Sequence, residues 1–351
     1  MKVYINGIGN ISPQETWDNT KFLKEVVSSD DNRLLCVEPV YKEYISPIKL
    51  RRMSKIIKRG IASALIAEKD ANVENTGAII TSTGRGCWAD TEKFLLTMIE
   101  QGEEQLTPTA FMQSTHNTVS GQIAISIKCH NYNSTYAHRG VSFERSLQDG
   151  MMLCLEGNKN VLVGGFDECT DNFFTMLGRV GAWKKKTINS LDLFNDSQEG
   201  SIGGEASIAF IIDSNKTDNS YASIDAMTTF YKPDSDEQVN EKVNEFLSSY
   251  NLSPSDIDVV VSGNNGDSKS DAIYNVVLQE FPEATHTGFK HLCGQFDTST
   301  AFGTWLAAKM LKTQSIPSVV KLNDVNKVPS KVLVVNHQNK ENYSLQLLSK
   351  C

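Results

Sequence analysis

An α/β chain built from two similar halves is the fold class that this sequence predicts, and three observations predict it. Short apolar runs alternate with longer stretches of helical periodicity along the chain. Four segments of the first part recur, in the same order, in the second. With 351 residues, 40% hydrophobic and 22% charged, the chain is of the soluble globular class and long enough for two ordinary cores.

Taken in order, the first predicted strand is VYING at the N-terminus, with GIG at 7–9 just after it. That turn is similar to a dinucleotide-binding one, but Ser12 stands at the third glycine position and no acidic residue is placed to hold a ribose. It is therefore read as a strand-ending turn. Next comes PIKLRRMSKIIKR, where Lys49, Arg51, Arg52, Lys55, Lys58 and Arg59 have no acidic residue between them. Helical spacing gathers Arg51, Lys55, Lys58 and Arg59 on one side and Met53, Ile56, Ile57 and Ile61 on the other. This face is either simply solvated or a docking site for an acidic carrier domain.

The remaining predicted strands are TGAIITST (76–83), VLVGG (161–165), SIAFII (207–212), DVVVSG (258–263), VLVV (332–335) and YSLQLL (343–348). Polar residues concentrate at 214–220 and again around 233–240. The first of these stretches sets the expected boundary between two halves, 1–213 and 221–351. Across it TGAIITSTG matches DVVVSGNNG, STHNTVSGQIAI matches FDTSTAFGTWLAA, NVLVGG matches KVLVVN, and ASIAFII matches YSLQLL. A duplicated strand-and-helix unit accounts for all four pairs; unrelated βα segments would give a weaker version.

Composition narrows the function classes. A net charge of −8 and a pI near 5.4 argue against a nucleic-acid surface, which needs a dominant basic face. Neither a signal peptide nor a membrane span is expected, because the first apolar stretch breaks at Asn6 and no later run is long enough. The seven cysteines form no CxxC pair, and the six histidines (His116, His130, His138, His286, His291, His337) show no paired spacing. No metal site and no cofactor are expected, and a reducing cytoplasm fits best.

NSTYAHRGVSFERSLQDG (133–150), VLVGGFDE (161–168), GGEASIAFII (203–212) and FKHLCGQFDTSTAFGTWLAAKML (289–311) together resemble the landmarks of β-ketoacyl synthases. VYINGIGNISP and the RRM helix fit the same pattern, so the resemblance covers nearly the whole chain. It implies the thiolase-like fold: duplicated βαβαβ halves forming a layered αβαβα sandwich.

In that family a cysteine at a sharp strand-to-helix turn attacks an acyl thioester, helped by a helix N-terminus that stabilises the thiolate. The matching segment here places Ala137 at that position, or His138 if the match slips by one, and neither supplies a thiol. Two further groups, His/His or His/Asn, are expected to drive decarboxylation. The first position reads Gly263, Asn264, Asn265, with Asn264 taken as the substitute. Near the second, Lys290 is retained but Gln295 replaces the histidine. The glycine-rich gating segment before the last strand reads Asn336, His337, Gln338, Asn339, Lys340.

Loss of chemistry on a retained scaffold resembles the chain-length factors of fatty acid, polyketide or polyene pigment pathways. The resemblance implies a non-condensing subunit that pairs with an active β-ketoacyl synthase, or with itself, and meets an acyl carrier protein. Trp88, Phe94, Phe111 and Met112 are the expected ruler at the partner's tunnel, although each serves equally well as core. His116, His138 and Arg139 are expected to make polar contacts across the interface, Arg52 and Lys55 to meet the carrier, and Glu205 to support a strand-end turn. The alternative is an independent acyltransferase or condensing enzyme with a relocated nucleophile. Cys129, Cys154, Cys293 and Ser142 are then the candidates, Cys293 first because it lies near Gln295. A structural homodimer without an acyl ligand is the third reading.

Overall fold

A computed structural model describes residues 2–351. Its first half contains strands β1 (Val3–Ile11), β2 (Arg33–Leu34), β3 (Ala78–Ser82), β4 (Tyr132–Tyr136), β5 (Val161–Asp167), β6 (Gly203–Gly204) and β7 (Ala206–Asp213). The second half contains β8 (Ala222–Tyr231), β9 (Val259–Ser262), β10 (Thr285–Gly288), β11 (Lys331–Gln338) and β12 (Asn342–Ser349). Helices α1 (Pro47–Leu50), α2 (Lys55–Ala71), α3 (Trp88–Glu100), α4 (Pro108–Gln113), α5 (Thr118–Ile127), α6 (Ser142–Leu155) and α7 (Asp171–Arg179) belong to the first half. The second has α8 (Asp236–Ser249), α9 (Ala272–Gln279), α10 (Lys290–Cys293) and α11 (Thr300–Thr313).

Strand order is β10-β9-β11-β12-β8-β1-β7-β5-β3-β4. Strands β2 and β6 pair apart in a two-stranded sheet; when only the strands of the large sheet are counted within each half, the two halves of that order are the same: third, second, fourth, fifth, first. Directions repeat as well, since β3 is parallel to β4 and β5 as β9 is to β10 and β11. The fifth large-sheet strand of each half, β7 or β12, runs antiparallel to both of its neighbours. Where the halves meet, β1 and β8 pair only over Val3–Ile5 and Ala222–Ile224.

Helices complete five layers. Helices α2 and α5 pack Ile56, Ile57, Ile61, Val119 and Ile123 on one sheet face, and α8 and α9 pack Val239, Val243, Ile273 and Val277 on the other. Between the two five-stranded halves of the sheet lie α6 and α11, whose Phe143, Leu147, Phe302 and Trp305 share one core cluster with strands of both halves. Helix α11 is buried almost all round, with Phe302 and Trp305 inside the largest core cluster, as expected of a helix that is apolar on every side.

Several expectations are corrected by this geometry. GIG is no turn: β1 runs through Gly7 and Gly9 to Ile11. A Cβ at Gly9 would stand 1.9 Å from the Ser63 carbonyl oxygen, so the glycine permits the close approach of α2. The echo of STHNTVSGQIAI with FDTSTAFGTWLAA pairs the wrong helices. By topology α5 corresponds to α9 and α6 to α11, while the other three pairs match equivalent strands. The polar run at 233–240 opens α8, whose Ser235 side chain accepts from the Gln238 N–H. Strands β4, β8 and β10 escaped sequence reading because β4 and β10 are short and rich in Asn, Ser and Thr, and β8 mixes polar and apolar residues.

Candidate functional site

The C-terminal ends of β3, β5, β9 and β11 converge, and the segments leaving them enclose a cavity of about 550 Å³. Crevices of this kind form where strand ends diverge toward their connections. Strand β3 delivers Arg85, β5 delivers Asp167, the β9 connection delivers Asn265, β11 delivers His337 and Gln338, and the loop before α11 delivers Gln295 and Asp297.

Asp167 is the hub. Its Oδ1 accepts from the Thr83 hydroxyl and the Gly84 N–H, both at 2.9 Å, and its Oδ2 from the N–H and hydroxyl of Thr298, both at 2.8 Å. These four bonds lock the ends of β3 and β5 to the start of α11. Burial and the neighbouring Asp297 push the Asp167 carboxyl up to about 6. Asp297 itself receives Arg85 Nε at 3.2 Å and an N–H of the Gln338 side chain. Beside it, burial pushes the Glu168 carboxyl up to about 7, although the Ala89 N–H donates to it at 2.9 Å.

The strand-to-helix turn lies between β4 and α6. Its strained residue is Arg139, with φ +51°, two positions beyond Ala137. Arg139 lines the cavity, while Ala137 and His138 do not. No residue from Ala137 to Gly140 carries a thiol. A Cβ at Gly140 would stand 2.0 Å from Gln338 Oε1, so the turn packs directly on the β11–β12 hairpin. That hairpin replaces the expected gate. Asn339 and Lys340 both hold φ +55°, and the Glu341 N–H donates to the Gln338 carbonyl at 3.0 Å, the hydrogen bond and dihedral signs of a type I′ turn.

Of the remaining expected positions, the structure brings Gln295 to the cavity and not Asn264 or Lys290. Asn264 faces a separate groove and accepts from the Ser262 hydroxyl at 2.5 Å; its neighbour Asn265 takes the cavity wall. Lys290 is buried, its ammonium pushed down to about 8 by burial against the partial opposition of Asp271, Cys293 and Glu144. His337 lines the cavity but is no base: its Nε2 meets the Ser270 carbonyl at 3.0 Å and its Nδ1 accepts the Lys340 N–H at 3.3 Å. Burial holds it down at about 3.

The relocated nucleophiles fare no better. Cys293 is wholly buried away from the cavity, its thiol pushed well up by burial. Cys154 packs against the Ile212 carbonyl, Cys129 against that of Thr76, and the Ser142 hydroxyl accepts the His138 N–H at 2.7 Å. The cysteine that does line the cavity, Cys169, was not singled out in the sequence, and burial pushes its thiol to about 12. Arg85, Asp167 and Asp297 were also missed. Their signal was the turn TSTGRG and the strand-ending GGFDE, where an acid stands at the end of an apolar strand.

The expected ruler and docking residues lie elsewhere. Trp88 is half-buried, edge-on to Phe173 at 5.6 Å; Phe94 leans on Phe111 at 5.3 Å. Phe111 and Met112 are 56% and 62% exposed, and His116 packs beside Gly86. None of these lines the cavity. Arg52 and Lys55 are exposed as expected, but Arg59 leaves the basic face. It is 2% exposed and pairs with Glu38 at 2.6 Å and Glu205 at 2.8 Å. Glu205 also accepts the N–H groups of Cys36 and Cys169, each at 3.0 Å, which ties three chain segments together.

Among the described residues no group of side chains is placed to hold a metal ion, and no helix is long and apolar enough to cross a membrane. Residues 31–183 match the family described as "Beta-ketoacyl synthase, N-terminal domain". No curated protein matches the chain in sequence. Among solved structures, "The ishigamide ketosynthase/chain length factor" is similar at 15% identity and a TM-score of 0.81, covering 100% of this chain and 99% of that one. A β-ketoacyl synthase from Burkholderia phymatum STM815 is similar at 12% identity and 0.79, with the same coverage. A further assembly, "AntDE:AntF (apo): type II PKS acyl-carrier protein in complex with its ketosynthase bound to the hexaketide", is similar at 13% and 0.76, covering 100% and 99%. At these identities the likeness is one of fold: the thiolase-like sandwich of the ketosynthases.

Proposed function

We propose that this ketosynthase-like chain is a non-condensing subunit, of the chain-length-factor kind, that pairs with an active β-ketoacyl synthase. The observation that carries this reading is the strand-to-helix turn at Arg139. The fold builds the turn, its strain and a cavity beside it, but no thiol stands from Ala137 to Gly140, burial pushes the Cys169 thiol on the cavity wall up to about 12, and His337, which also lines the cavity, is bonded at both ring nitrogens. A chain that keeps the scaffold and drops the nucleophile retains what a partner needs for docking.

The face beside β4 suits such a partner. Strand β4 ends the sheet and pairs only with β3, and Phe111, Met112, Ile125 and Tyr132 stand out around it, each more than half exposed. A bare strand edge ringed by apolar side chains favours addition of another strand from a second molecule. In the pair, Phe111 and Met112 would bound the partner's acyl tunnel. Arg52 and Lys55 would meet an acidic acyl carrier, with the solvent-screened attraction of a surface patch.

The test is direct. Incubated alone with acyl-carrier thioesters, the chain should show no covalent adduct by intact-mass analysis. A stoichiometric adduct on any of its cysteines would overturn the reading and favour the independent acyltransferase.

A further inference from the structure

One wall of the cavity comes from helix α7 and the loop after it, through Phe173, Leu177, Ala182 and Trp183. The same helix has no fully buried residue. Met176 and Val180, one helical turn apart, are 45% and 77% exposed, and neither lines the cavity. Three exposed cations accompany them, Arg179, Lys185 and Lys186, none with an ion pair among the described residues. Their exposure is built into the loop. The Trp183 ring stacks on Phe174 at 5.3 Å and its Nε1–H donates to the Phe174 carbonyl at 2.9 Å, which folds the loop back along α7. Lys184 turns inward, donating to the Gly266 carbonyl at 2.7 Å and pairing with Asp196 at 2.8 Å, so Lys185 and Lys186 are left outside.

No Asp or Glu occurs from Asn172 to Leu191, in a chain that holds 42 of them and a net charge of −8. Asp171, which precedes the segment, pairs with Arg33 at 2.6 Å, and Asp30 accepts from the Asn189 side chain at 2.9 Å. Aliphatic side chains standing in water beside free cations match a lipid interface, which takes Met and Val at the acyl boundary while Lys and Arg reach anionic headgroups. Two aliphatic groups give a folded protein partner little to lock onto, whereas lipid needs no matching shape. We propose that α7 and the loop to Lys186 dock this chain on an anionic lipid surface. Met176 and Val180 enter the interface, and Arg179, Lys185 and Lys186 meet the headgroups. The acidic remainder of the chain keeps the contact weak, reversible and salt-sensitive. The contact does not rest on the partner reading: an unpaired chain would bind lipid by the same face.

The experiment is co-sedimentation of the full chain with vesicles of phosphatidylcholine alone and of phosphatidylcholine mixed equally with phosphatidylglycerol. Binding to the mixed vesicles, reduced by added salt and far weaker on phosphatidylcholine, is expected. Val180→Asp, and separately the pair Lys185→Glu with Lys186→Glu, should each weaken it about tenfold or more. All three side chains are exposed, so the fold should hold, and thermal melts check that it does. Lys216→Glu, on an exposed loop, should bind as the parent does. No binding to the mixed vesicles overturns the proposal, and loss of acyl-carrier affinity or of self-association in the same variants would then assign the face to a protein. Unchanged binding in folded Val180→Asp, or an equal loss in Lys216→Glu, also overturns it, because general charge attraction would then suffice.

Discussion

The two ends of the ten-stranded sheet hold equivalent strands with opposite fates. At one end β10 is sealed: the Leu322 N–H donates to the His286 carbonyl at 2.8 Å, Asn323 Oδ1 accepts the His286 N–H at 3.0 Å, and Thr287 bridges to Lys321. The connection that follows, from Phe289 to Thr300, is buried along most of its length and leads into the apolar α11. At the other end β4 has no cover, and the connection that follows it exposes Ala137, His138 and Arg139 before entering α6. Both junctions answer to the same topology. A duplicated unit therefore settles where strands and helices go and leaves open which edge is satisfied within the chain and which is offered outside it.

The comparison breaks most visibly in the core behind the sealed junction. Phe302→Ala or Trp305→Ala removes a ring that is at most 1% exposed, and each should cost about 3–5 kcal/mol in denaturant unfolding. Phe111→Ala, at the open end, should cost well under about 1 kcal/mol in the isolated chain, because its ring is already half in water. Equal losses at both sites would mean that the open end is not open.

Pairing is the second lever. Phe111→Asp or Ile125→Asp should leave the melting of the isolated chain unchanged, yet lower affinity for a partner synthase, read by sedimentation, about 100-fold or more. In a reconstituted pair Phe111→Ala should shift products toward longer chains while condensation continues, as measured by product mass.

Acidity offers a third, smaller contrast, between buried groups of the second half and of the first. His291 and His337 are held neutral by burial, at about 4 and about 3, below the ordinary 6.5. A depressed folded value means that stability present above pH 6.5 is lost as pH falls through the folded values. Each histidine contributes up to about 1.4 kcal/mol per pH unit within its window. Asp167, raised to about 6 by burial and Asp297, acts in the opposite sense: its contribution is greatest at low pH and declines as pH rises from about 4 to 6. Glu168, raised to about 7, acts with Asp167 and opposes the two histidines between pH 7 and 4, so the test is differential: in urea titrations over that range His291→Asn should tilt the slope toward greater stability at low pH than the parent shows. A slope unchanged in the variant would remove His291 as its source.

The smallest effect belongs to the surface. Reversing Arg52 and Lys55 to glutamate should weaken carrier binding several-fold at low salt and little at high salt, since surface attraction is screened over about 8 Å at physiological ionic strength. Arg59→Met marks the boundary of that surface. It strands the buried Glu205 carboxylate and should cost about 3–5 kcal/mol of stability.

Apolar periodicity and internal repetition carried most of the fold, because hydrophobic patterning is local and survives duplication. The strands around TGAIITST, VLVGG, DVVVSG and VLVV all form where their composition predicts them. That no thiol stands from Ala137 to Gly140 was equally legible, since it is a fact of composition. What local pattern could not carry were the contacts between distant segments. Arg59 looked like one of several equivalent charges until Glu38 and Glu205 enclosed it. Asn265 displaced Asn264 from the cavity wall through the course of the β9 connection. The turn holding Arg139 at positive φ closes, through Gly140, against Gln338, nearly two hundred residues away along the sequence. Sequence by itself determined the layers and which residue types stand at the turn; only the tertiary structure decided which side chains face one another, because burial and charge pairing depend on neighbours that the chain order does not record.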